Sequence, residues 1–235
     1  MPDSPSTQLG IQSEPEQIPE LTISKTTSEA EMIAAHKLIA DSIAQQRATL
    51  VRSLLYGHPN LTIPPYILLL CWLYSQNSNI ATALLLSAGC TIAILSACGR
   101  LTDGYIGQAE EMGSKIGYET MMERVAVIAR WGEEKEVIGV AVVEMEKKAG
   151  GGGRGVVWAL AVRLKYRRRG VGRGLLEEVV REVRGRFGGD AEVVFADEHA
   201  NSFRIKSIPK VFNEVFDKHE RKIRSMLEGV KKPQT

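Results

Sequence analysis

A chain of 235 residues has room for one ordinary domain of about 130 to 150 residues together with appendages. Hydrophobic residues make up 44% and charged residues 25% of the chain, which is the composition of a globular protein. The net charge of +2 is too close to neutral for a dedicated nucleic-acid-binding protein, so no nucleic-acid partner is expected.

The amino-terminal part divides into a tail, a strand and a helix. Residues 1–20 are rich in Pro, Ser, Gln and Glu, which predicts a disordered tail, and they lack the basic and apolar regions of a cleaved signal peptide. LTISK, residues 21–25, alternates like a short strand. Residues 26–47 predict a helix that Thr27 or Ser28 caps, with Met32, Leu38 and Ile39 on its apolar face.

Two apolar segments without a charged residue follow, over 63–75 and 80–98. The second has 19 residues, which form a helix of about 28 Å, close to the thickness of a bilayer's hydrocarbon core of about 30 Å. Only the polar residues 76–79 separate the segments, so we predict a transmembrane helical hairpin inserted at 62–99, with helices over 62–77 and 80–98. A helix pair buried in a soluble core remains the alternative, although soluble helices normally keep a polar face.

The three cysteines, Cys71, Cys90 and Cys98, lie in or beside these apolar segments. Their spacing fits neither a metal site nor a disulfide framework, so neither is expected. We interpret them as small apolar residues of the helices, with palmitoylation of Cys98 as the alternative.

The pattern beyond Arg100 is that of a sheet. Strands are predicted over 123–131, 136–146, 155–163 and 191–197, and the third is apolar on both faces and therefore central. Residues 147–155 predict a flexible loop that lacks the GxxxxGK[ST] pattern of a phosphate-binding loop. Residues 200–235 are predicted to form a carboxy-terminal helical segment, interrupted near Pro209.

YRRRGVGRGLLEEVVREV, residues 166–183, is the strongest candidate for a binding site. Apolar residues recur about every four positions from Val171 to Val183, which predicts an amphipathic helix that begins near Gly170 and packs on the sheet. The free N–H groups and the positive dipole end of such a helix attract anions, and glycines at 170 and 172 let an anion approach them. Three arginines directly upstream add charge-assisted hydrogen bonds, so the segment predicts a pyrophosphate site.

The spacing of the motif decides which pyrophosphate is expected. The dinucleotide pattern GxGxxG would need glycine at 175, where the chain has leucine, so a Rossmann site is excluded. The remaining pattern is Arg-x-x-Gly-x-Gly, at Arg167, Gly170 and Gly172, after an apolar strand that ends in Leu-Ala-Val at 160–162. In this context the pattern resembles the acyl-CoA-binding motif of the GNAT family of N-acetyltransferases.

The resemblance implies the GNAT acyl-CoA N-acyltransferase fold, an α+β, three-layer architecture with a mixed central sheet flanked by helices, over residues 21–235. It implies acetyl-CoA as the acyl donor, an amine as the acceptor and no metal. The residues it implies for coenzyme binding are Leu160, Ala161, Val162, Arg167, Arg168, Arg169, Gly170, Val171, Gly172, Arg173, Gly174 and Asn201.

The hydrophobic insertion is similar to that of the camello-like, membrane-anchored branch of this family, whose members acetylate amino groups at the cytosolic face of internal membranes. This similarity implies a cytosolic catalytic domain on an internal membrane such as the endoplasmic reticulum. The topology agrees, because in the GNAT fold that the resemblance implies, the strand at 21–25 pairs with strands beyond residue 122. A hairpin keeps these strands on one side of the bilayer, whereas a single crossing would separate them.

The sequence departs from the family pattern in the half that should bind the acceptor. The family commonly has proline two residues after the strand's valine, where this chain has Leu164. Asn201 matches the asparagine expected after the last strand, but the tyrosine that should protonate the leaving thiolate is missing, since no tyrosine follows Tyr166. Helix also replaces the usual carboxy-terminal strands.

An attacking amine must lose a proton, so a base with a pKa near 7 is wanted. His199 is the first candidate because it follows the last strand, with Glu198 beside it, and Glu144 and Glu146 are weaker candidates. A backbone N–H near Val162 is the candidate oxyanion donor. The other histidines, His36, His58 and His219, are interpreted as surface residues.

Two functions from different classes follow. The first is a membrane-anchored N-acyltransferase that transfers acetyl from acetyl-CoA to a primary amine by direct attack. The second is a catalytically inactive module of the same fold that binds coenzyme A or anionic lipid headgroups as a membrane scaffold, which the missing tyrosine favours.

Overall fold

The computed structural model describes residues 20–76, 79–147 and 152–232 of the chain. The predicted tail lies outside the described residues apart from Glu20, as do residues 77 and 78 between the two apolar segments and residues 148–151 of the glycine-rich loop.

The described residues form five strands and seven α-helices. The strands are β1 (Leu21–Thr26), β2 (Val125–Trp131), β3 (Glu136–Lys147), β4 (Gly153–Val162) and β5 (Glu192–Phe195). The helices are α1 (Glu29–Arg52), α2 (Pro59–Gln76), α3 (Ile80–Leu101), α4 (Gly104–Gly113), α5 (Lys115–Met122), α6 (Val171–Phe187) and α7 (Lys210–Lys231). A π-helical turn, Ser53–Gly57, joins α1 to α2, and a short 3₁₀ turn, Leu164–Tyr166, lies between β4 and α6.

The strands form one sheet in the order β1-β2-β3-β4-β5. Every neighbouring pair is antiparallel except β4 and β5, which run parallel, as expected for strands that a crossover helix connects. β1 pairs with β2 along its whole length, from Leu21 opposite Trp131 to Thr26 opposite Ala126. The two ends of the segment that contains the hydrophobic insertion therefore meet in the sheet.

Two extra residues, Ile138 in β3 and Trp158 in β4, interrupt the register. Because side chains alternate with a period of two, each bulge turns the residues that follow to the opposite face. Val157 accordingly packs in the core cluster that contains α6, whereas Ala159 and Ala161 pack in the cluster that contains α1. The bulge at Trp158 thus resets the orientation of the last part of β4.

The helices cover both faces of the sheet. The buried face of α1, with Ile39 and Ile43, packs on one side, together with residues of α4 and α5. The buried face of α6, with Leu175 and Val179, packs on the other side, where α7 adds Leu227. This mixed five-stranded sheet between helical layers confirms the predicted α+β fold class.

The helices α2 and α3 extend over the segments where the hydrophobic hairpin was predicted. A hydrogen bond of 2.6 Å between the hydroxyls of Tyr66 and Thr91 links them. Most of their large apolar side chains are exposed, including Trp72 at 59% and Leu85 at 74%. Helix α3 alone, among the described residues, is long and apolar enough to span a membrane, with a mean hydropathy of 2.0 and 6% of the apolar window buried.

The structure differs from the expected elements in two regions. The segment 200–235 is not helical throughout, because the helix begins only at Lys210, after Pro209, whose preceding residue is biased toward extended backbone. Residues 104–122, for which the sequence predicted no defined element, form α4 and α5. These helices are short, with 10 and 8 residues, so each shows only two or three turns of apolar pattern.

A close helix–sheet contact predicts a measurable destabilisation. A Cβ atom added at Gly155 in β4 would lie 2.4 Å from Cγ2 of Val183 in α6, so we expect Gly155→Ala to lower the free energy of unfolding by about 1–3 kcal/mol. Gly185→Ala on α6 is the matched control, because that glycine has open space around it and alanine favours a helix by about 1 kcal/mol. Urea unfolding of the full chain in detergent would measure both, and equal stabilities for the two variants would contradict the packing.

Candidate functional site

The turn between β4 and α6, which contains the arginine-rich motif, has two residues with left-handed backbone conformation. Arg168 has φ of 64° and Gly170 has φ of 83°, both in the left-handed region. Glycine adopts this conformation at little cost, whereas an arginine there is strained. Gly170 is the N-cap residue of α6, so the motif's first glycine is required by the backbone itself.

The first turn of α6 presents free backbone donors. The N–H groups of Arg173 and Gly174 both donate to the Gly170 carbonyl, at 2.9 and 3.0 Å. The N–H groups of Val171 and Gly172 precede them and have no partner within the helix, at the positive end of its dipole. A Cβ atom at Gly172 would meet only Val162, at 3.9 Å, so this side of the helix start is open. The predicted anion site therefore has its backbone donors in place.

Gly174 has a role in packing, and its predicted part in coenzyme binding stays a prediction. A Cβ atom there would lie 2.7 Å from Cδ1 of Ile23 in β1. This glycine lets α6 approach the sheet, so its position in the motif reflects packing.

The three consecutive arginines differ in their contacts. Arg167 donates through Nε to the Val162 carbonyl at 2.8 Å and through Nη2 to Oε1 of Gln45 at 3.1 Å. Arg168 and Arg169 are exposed and make no hydrogen bond or ion pair with the part of the chain that the structure describes. Arg173, one turn into the helix, pairs with Glu177 at 2.9 Å. Arg168 and Arg169 are consequently available to an external anion without breaking a protein contact.

Beside this turn, β4 has an edge that no described strand covers. β5 pairs with β4 only from Arg154 to Val157, and β4 continues to Val162, about 16 Å further. We call the edge of residues 158–162 the open edge. The Arg163 N–H donates to Ile138 of β3 at 2.9 Å, and alternate residues point to opposite sides, so the backbone groups of Leu160 and Val162 point outward.

Three protein donors cap the carbonyl groups of the open edge. The Ala200 N–H donates to the Trp158 carbonyl at 2.8 Å, and Nδ2 of Asn201 donates to the Leu160 carbonyl at 3.2 Å. Arg167 caps the third carbonyl, that of Val162. The residues that cap the open edge thus come from the segment after β5 and from the arginine turn.

Asn201 connects the open edge to α1. Its Oδ1 accepts hydrogen bonds from the Ser42 hydroxyl at 3.1 Å and from Nε2 of Gln46 at 3.0 Å, while its backbone N–H donates to Nδ1 of His199 at 3.2 Å. The predicted coenzyme-binding asparagine therefore lies on the predicted strand edge, with its side chain held by three groups of the protein.

His199 lies near this network but is buried, with 5% of its side chain exposed. Because Nδ1 accepts the Asn201 N–H, the neutral imidazole carries its proton on Nε2. Nε2 has no hydrogen-bond partner among the described residues and lies 3.8 Å from Oε1 of Glu220 in α7. To accept a proton, His199 would have to release the Asn201 N–H, so this geometry favours a positioning role, and the catalytic role stays a prediction.

The charges around His199 act in opposite directions. Burial lowers the pKa of His199 and outweighs the carboxylate of Glu220, which raises it. Burial would raise the pKa of Glu220, but the hydrogen bond from Arg224 and the charges of His199 and Arg224 bring it below its ordinary value. The site therefore holds a neutral imidazole beside an ionised carboxylate at neutral pH.

The other candidate bases are not brought to the open edge. Glu144 pairs with Arg124 at 2.8 Å and Glu146 with Arg154 at 2.8 Å. On the sheet Glu144 lies opposite Val156, about 20 Å along β4 from Val162. Glu198 is exposed and makes no hydrogen bond or ion pair with the described residues.

Sequence reasoning missed the contribution of α1. Ser42, Gln45 and Gln46 hold Asn201 and Arg167, yet polar residues on a helix carry no signal for partners that lie more than 100 residues away. One histidine was also misplaced. His36 is buried, with Nε2 2.6 Å from the Met112 carbonyl, so its interpretation as a surface residue was wrong.

The burial of His199 predicts a pH dependence of stability. Its pKa is lower in the folded chain than in the unfolded chain, so its contribution is fully present above about pH 6.5 and is lost as the pH falls below that value. We expect His199→Gln to make the free energy of unfolding depend less steeply on pH between 7 and 5.5. Urea unfolding at several pH values would measure the slopes, with Lys206→Gln as an exposed control, and equal slopes for wild type and His199→Gln would refute the assignment.

Comparisons with known proteins bear on the same region. The sequence model of the acetyltransferase (GNAT) family matches residues 101–205, which contain β2 to β5, the open edge and the arginine turn. None of the curated proteins matches the chain.

Similar solved structures include several acetyltransferases. An aminoglycoside N-acetyltransferase in complex with CoA is 13% identical over 89% of this chain and 90% of its own, with a TM-score of 0.38. A Trypanosoma brucei acetyltransferase is 12% identical over 76% of this chain and 84% of its own, with a TM-score of 0.36. An aminoglycoside acetyltransferase from an uncultured soil metagenomic sample is 24% identical over 41% of this chain, with a TM-score of 0.31.

The match to that metagenomic enzyme spans 62% of its length, and the match to a second metagenomic aminoglycoside acetyltransferase spans 64%. The family match, by contrast, covers the whole turn-and-helix motif and the strand before it. The acetyltransferase (GNAT) family model thus matches 105 of the 235 residues, somewhat less than half of the chain.

Proposed function

We propose that this chain is a membrane-anchored N-acyltransferase that transfers acetyl from acetyl-CoA to a primary amine by direct attack. The observation that carries the proposal is that two features are adjacent: a strand edge that no described strand covers, and a helix N-terminus whose two N–H groups and two arginines have no partner among the described residues. A long, thin ligand with amides at one end and phosphates at the other matches this arrangement.

The donor half of the site accounts for each part of acetyl-CoA. The N–H groups of Val171 and Gly172, with Arg168 and Arg169, suit the pyrophosphate. The open edge suits the amide-containing pantetheine arm, because its outward backbone groups can pair with amides as a strand would. The thioester then lies farther along the open edge from the pyrophosphate, where the outward N–H of Leu160, near Val162, can stabilise the oxyanion.

In this proposal the chemistry is direct. The amine nitrogen attacks the thioester carbonyl, the C–N bond forms, the C–S bond breaks, and coenzyme A leaves as a thiolate that takes up a proton. The proton lost by the amine passes to water, or to Nδ1 of His199 once that atom has released the Asn201 N–H. Protein lysines, protein N-termini and small-molecule amines are all acceptors of the required class.

The proposed anchor is the hairpin of α2 and α3. As a helix, the 22 residues of α3 are about 33 Å long, which suffices for a hydrocarbon core of about 30 Å. Its exposed side chains are apolar over most of its surface, and in water such a surface would favour aggregation. We further propose that the domain lies on the cytosolic side of an internal membrane such as the endoplasmic reticulum, as in the camello-like branch.

A second candidate is an inactive module that binds coenzyme A or anionic lipid headgroups as a membrane scaffold. Two observations favour it: no tyrosine follows Tyr166, and the Nδ1 atom of His199 is occupied by the Asn201 N–H. Under this alternative the coenzyme binds but no amine is acetylated.

Ligand-induced stabilisation tests the donor site. Acetyl-CoA at 100 times its dissociation constant should stabilise the detergent-purified chain by about 2.7 kcal/mol, while NAD should not. Gly172→Glu should abolish the effect because it places a carboxylate at the anion site, and Gly185→Glu on the open part of the same helix should leave it intact.

Thermal unfolding with adenosine 3′,5′-bisphosphate as a third ligand completes this measurement. No stabilisation by any coenzyme A derivative would overturn the donor site. Stabilisation without turnover on a panel of primary amines would favour the inactive module.

Membrane insertion has its own test. The expressed full chain should stay in the membrane pellet after alkaline carbonate extraction. Leu85→Arg with Ile92→Arg, at positions 74% and 65% exposed on α3, should release it, because each arginine costs about 2.5–3.5 kcal/mol near a helix centre in the bilayer. Val215→Arg on α7 is the control at an exposed apolar position outside the hairpin. Extraction of the wild-type chain by carbonate would refute the anchor.

A further inference from the structure

We propose that Arg167 and Gln45 form a phosphate-dependent latch that restricts the acyl donor to thioesters whose pantetheine arm carries a phosphate. The inference rests on the proposed function and concerns the same site. It specifies which acyl donors can bind along the open edge, and it gives Gln45 of α1 a role in donor selection.

The latch is defined by two hydrogen bonds of one guanidinium. Nε of Arg167 donates to the Val162 carbonyl at 2.8 Å, and Nη2 donates to Oε1 of Gln45 at 3.1 Å. The first bond occupies the outermost carbonyl of the open edge, next to the arginine turn. The second ties the guanidinium to α1, so the side chain lies across the route from the turn to the strand edge.

A pantetheine arm that lies along the open edge needs the Val162 carbonyl, which already accepts a hydrogen bond from Arg167. Its amide N–H groups require acceptors, and the carbonyls that point outward from this part of β4 belong to Leu160 and Val162. Both carbonyls already accept hydrogen bonds from protein donors. An arm that pairs with Val162 must therefore displace the guanidinium, and a displaced guanidinium needs a new acceptor.

A phosphate supplies that acceptor. Both current partners of Arg167, a backbone carbonyl and a side-chain amide, are neutral, whereas hydrogen bonds from a guanidinium to a phosphate join opposite charges and are about twice as strong. The N–H groups of Val171 and Gly172 would hold the phosphate within a few residues of Arg167 along the same turn. Phosphate binding and release of the Val162 carbonyl are thus coupled. A pantetheine thioester without phosphate has to displace the Arg167 guanidinium without offering it a new acceptor.

The neighbouring arginines cannot act in this way. Arg168 and Arg169 are exposed and have no bond within the described part of the chain that a ligand would break. They contribute attraction for the phosphate only. Arg167 differs because it both attracts the phosphate and blocks the strand, so its removal should affect phosphorylated and unphosphorylated donors in opposite directions.

The test compares acetyl-CoA with acetyl-pantetheine by titration calorimetry of the full chain in detergent. In Arg167→Ala the affinity for acetyl-pantetheine should rise about fivefold, the factor that corresponds to a net hydrogen bond of about 1 kcal/mol, while the affinity for acetyl-CoA falls. Gln45→Ala should raise the affinity for acetyl-pantetheine without lowering that for acetyl-CoA. Arg168→Ala should lower the affinity for acetyl-CoA and leave that for acetyl-pantetheine unchanged. Thr49→Ala, at an exposed position one turn along α1, serves as the control for Gln45→Ala.

The outcomes separate the latch from the site beneath it. If Arg167→Ala and Arg168→Ala behave alike, with no gain for acetyl-pantetheine, Arg167 is only a phosphate ligand and the latch is refuted. A gain in Gln45→Ala together with Arg167→Ala supports it. Failure of the wild-type chain to bind acetyl-CoA would overturn the proposed function itself, and that titration reports it independently of the variants.

Discussion

Pairing between β4 and β5 stops at Val157 and Phe195, five residues before β4 itself ends at Val162. The candidate site depends on this unpaired end of β4. A fully paired parallel strand would have used the outward backbone groups of Leu160 and Val162 in its own ladder. The bulge at Trp158 also matters, because it sets which side chains of the last part of β4 face α1. Since α6 begins only a short turn after β4, its free N–H groups lie at the end of that edge. Strand edge and helix start thus form a single continuous site.

The protein satisfies the open edge with its own side chains and backbone. Ala200, Asn201 and Arg167 each cap one carbonyl, and a single stretch of α1, from Ser42 to Gln46, holds two of these three residues. Unpaired carbonyls in a partly buried cleft are costly, so such capping stabilises the empty site. A ligand that pairs with these carbonyls would have to exchange bonds with these residues, and this is why the proposed donor selection involves α1.

The hydrophobic hairpin agrees with the topology of the sheet. β1 and β2 pair in full, although α1 to α5 lie between them in the chain, so an insertion that enters a bilayer, as proposed, would have to return to the side from which it left. Two helices achieve this and one would not. The exposure of the apolar surface of α3 argues against the alternative of a helix pair buried in a soluble core. Insertion of these helices into a bilayer belongs to the proposed function.

Local periodicity in the sequence determined the strands, the amphipathic helix α6 and the apolar hairpin, because each pattern records which side of one element is buried. The spacing of Arg167, Gly170 and Gly172 likewise predicted the candidate anion site, since that prediction depends on one turn and one helix start. Tertiary structure alone decided the rest. The packing of Gly174 on Ile23, the burial of His199 and the contacts of Gln45 and Asn201 join residues that are far apart in the chain, or depend on such packing. No local pattern encodes such contacts, because they arise only when the sheet brings α1, β4 and the segment after β5 together.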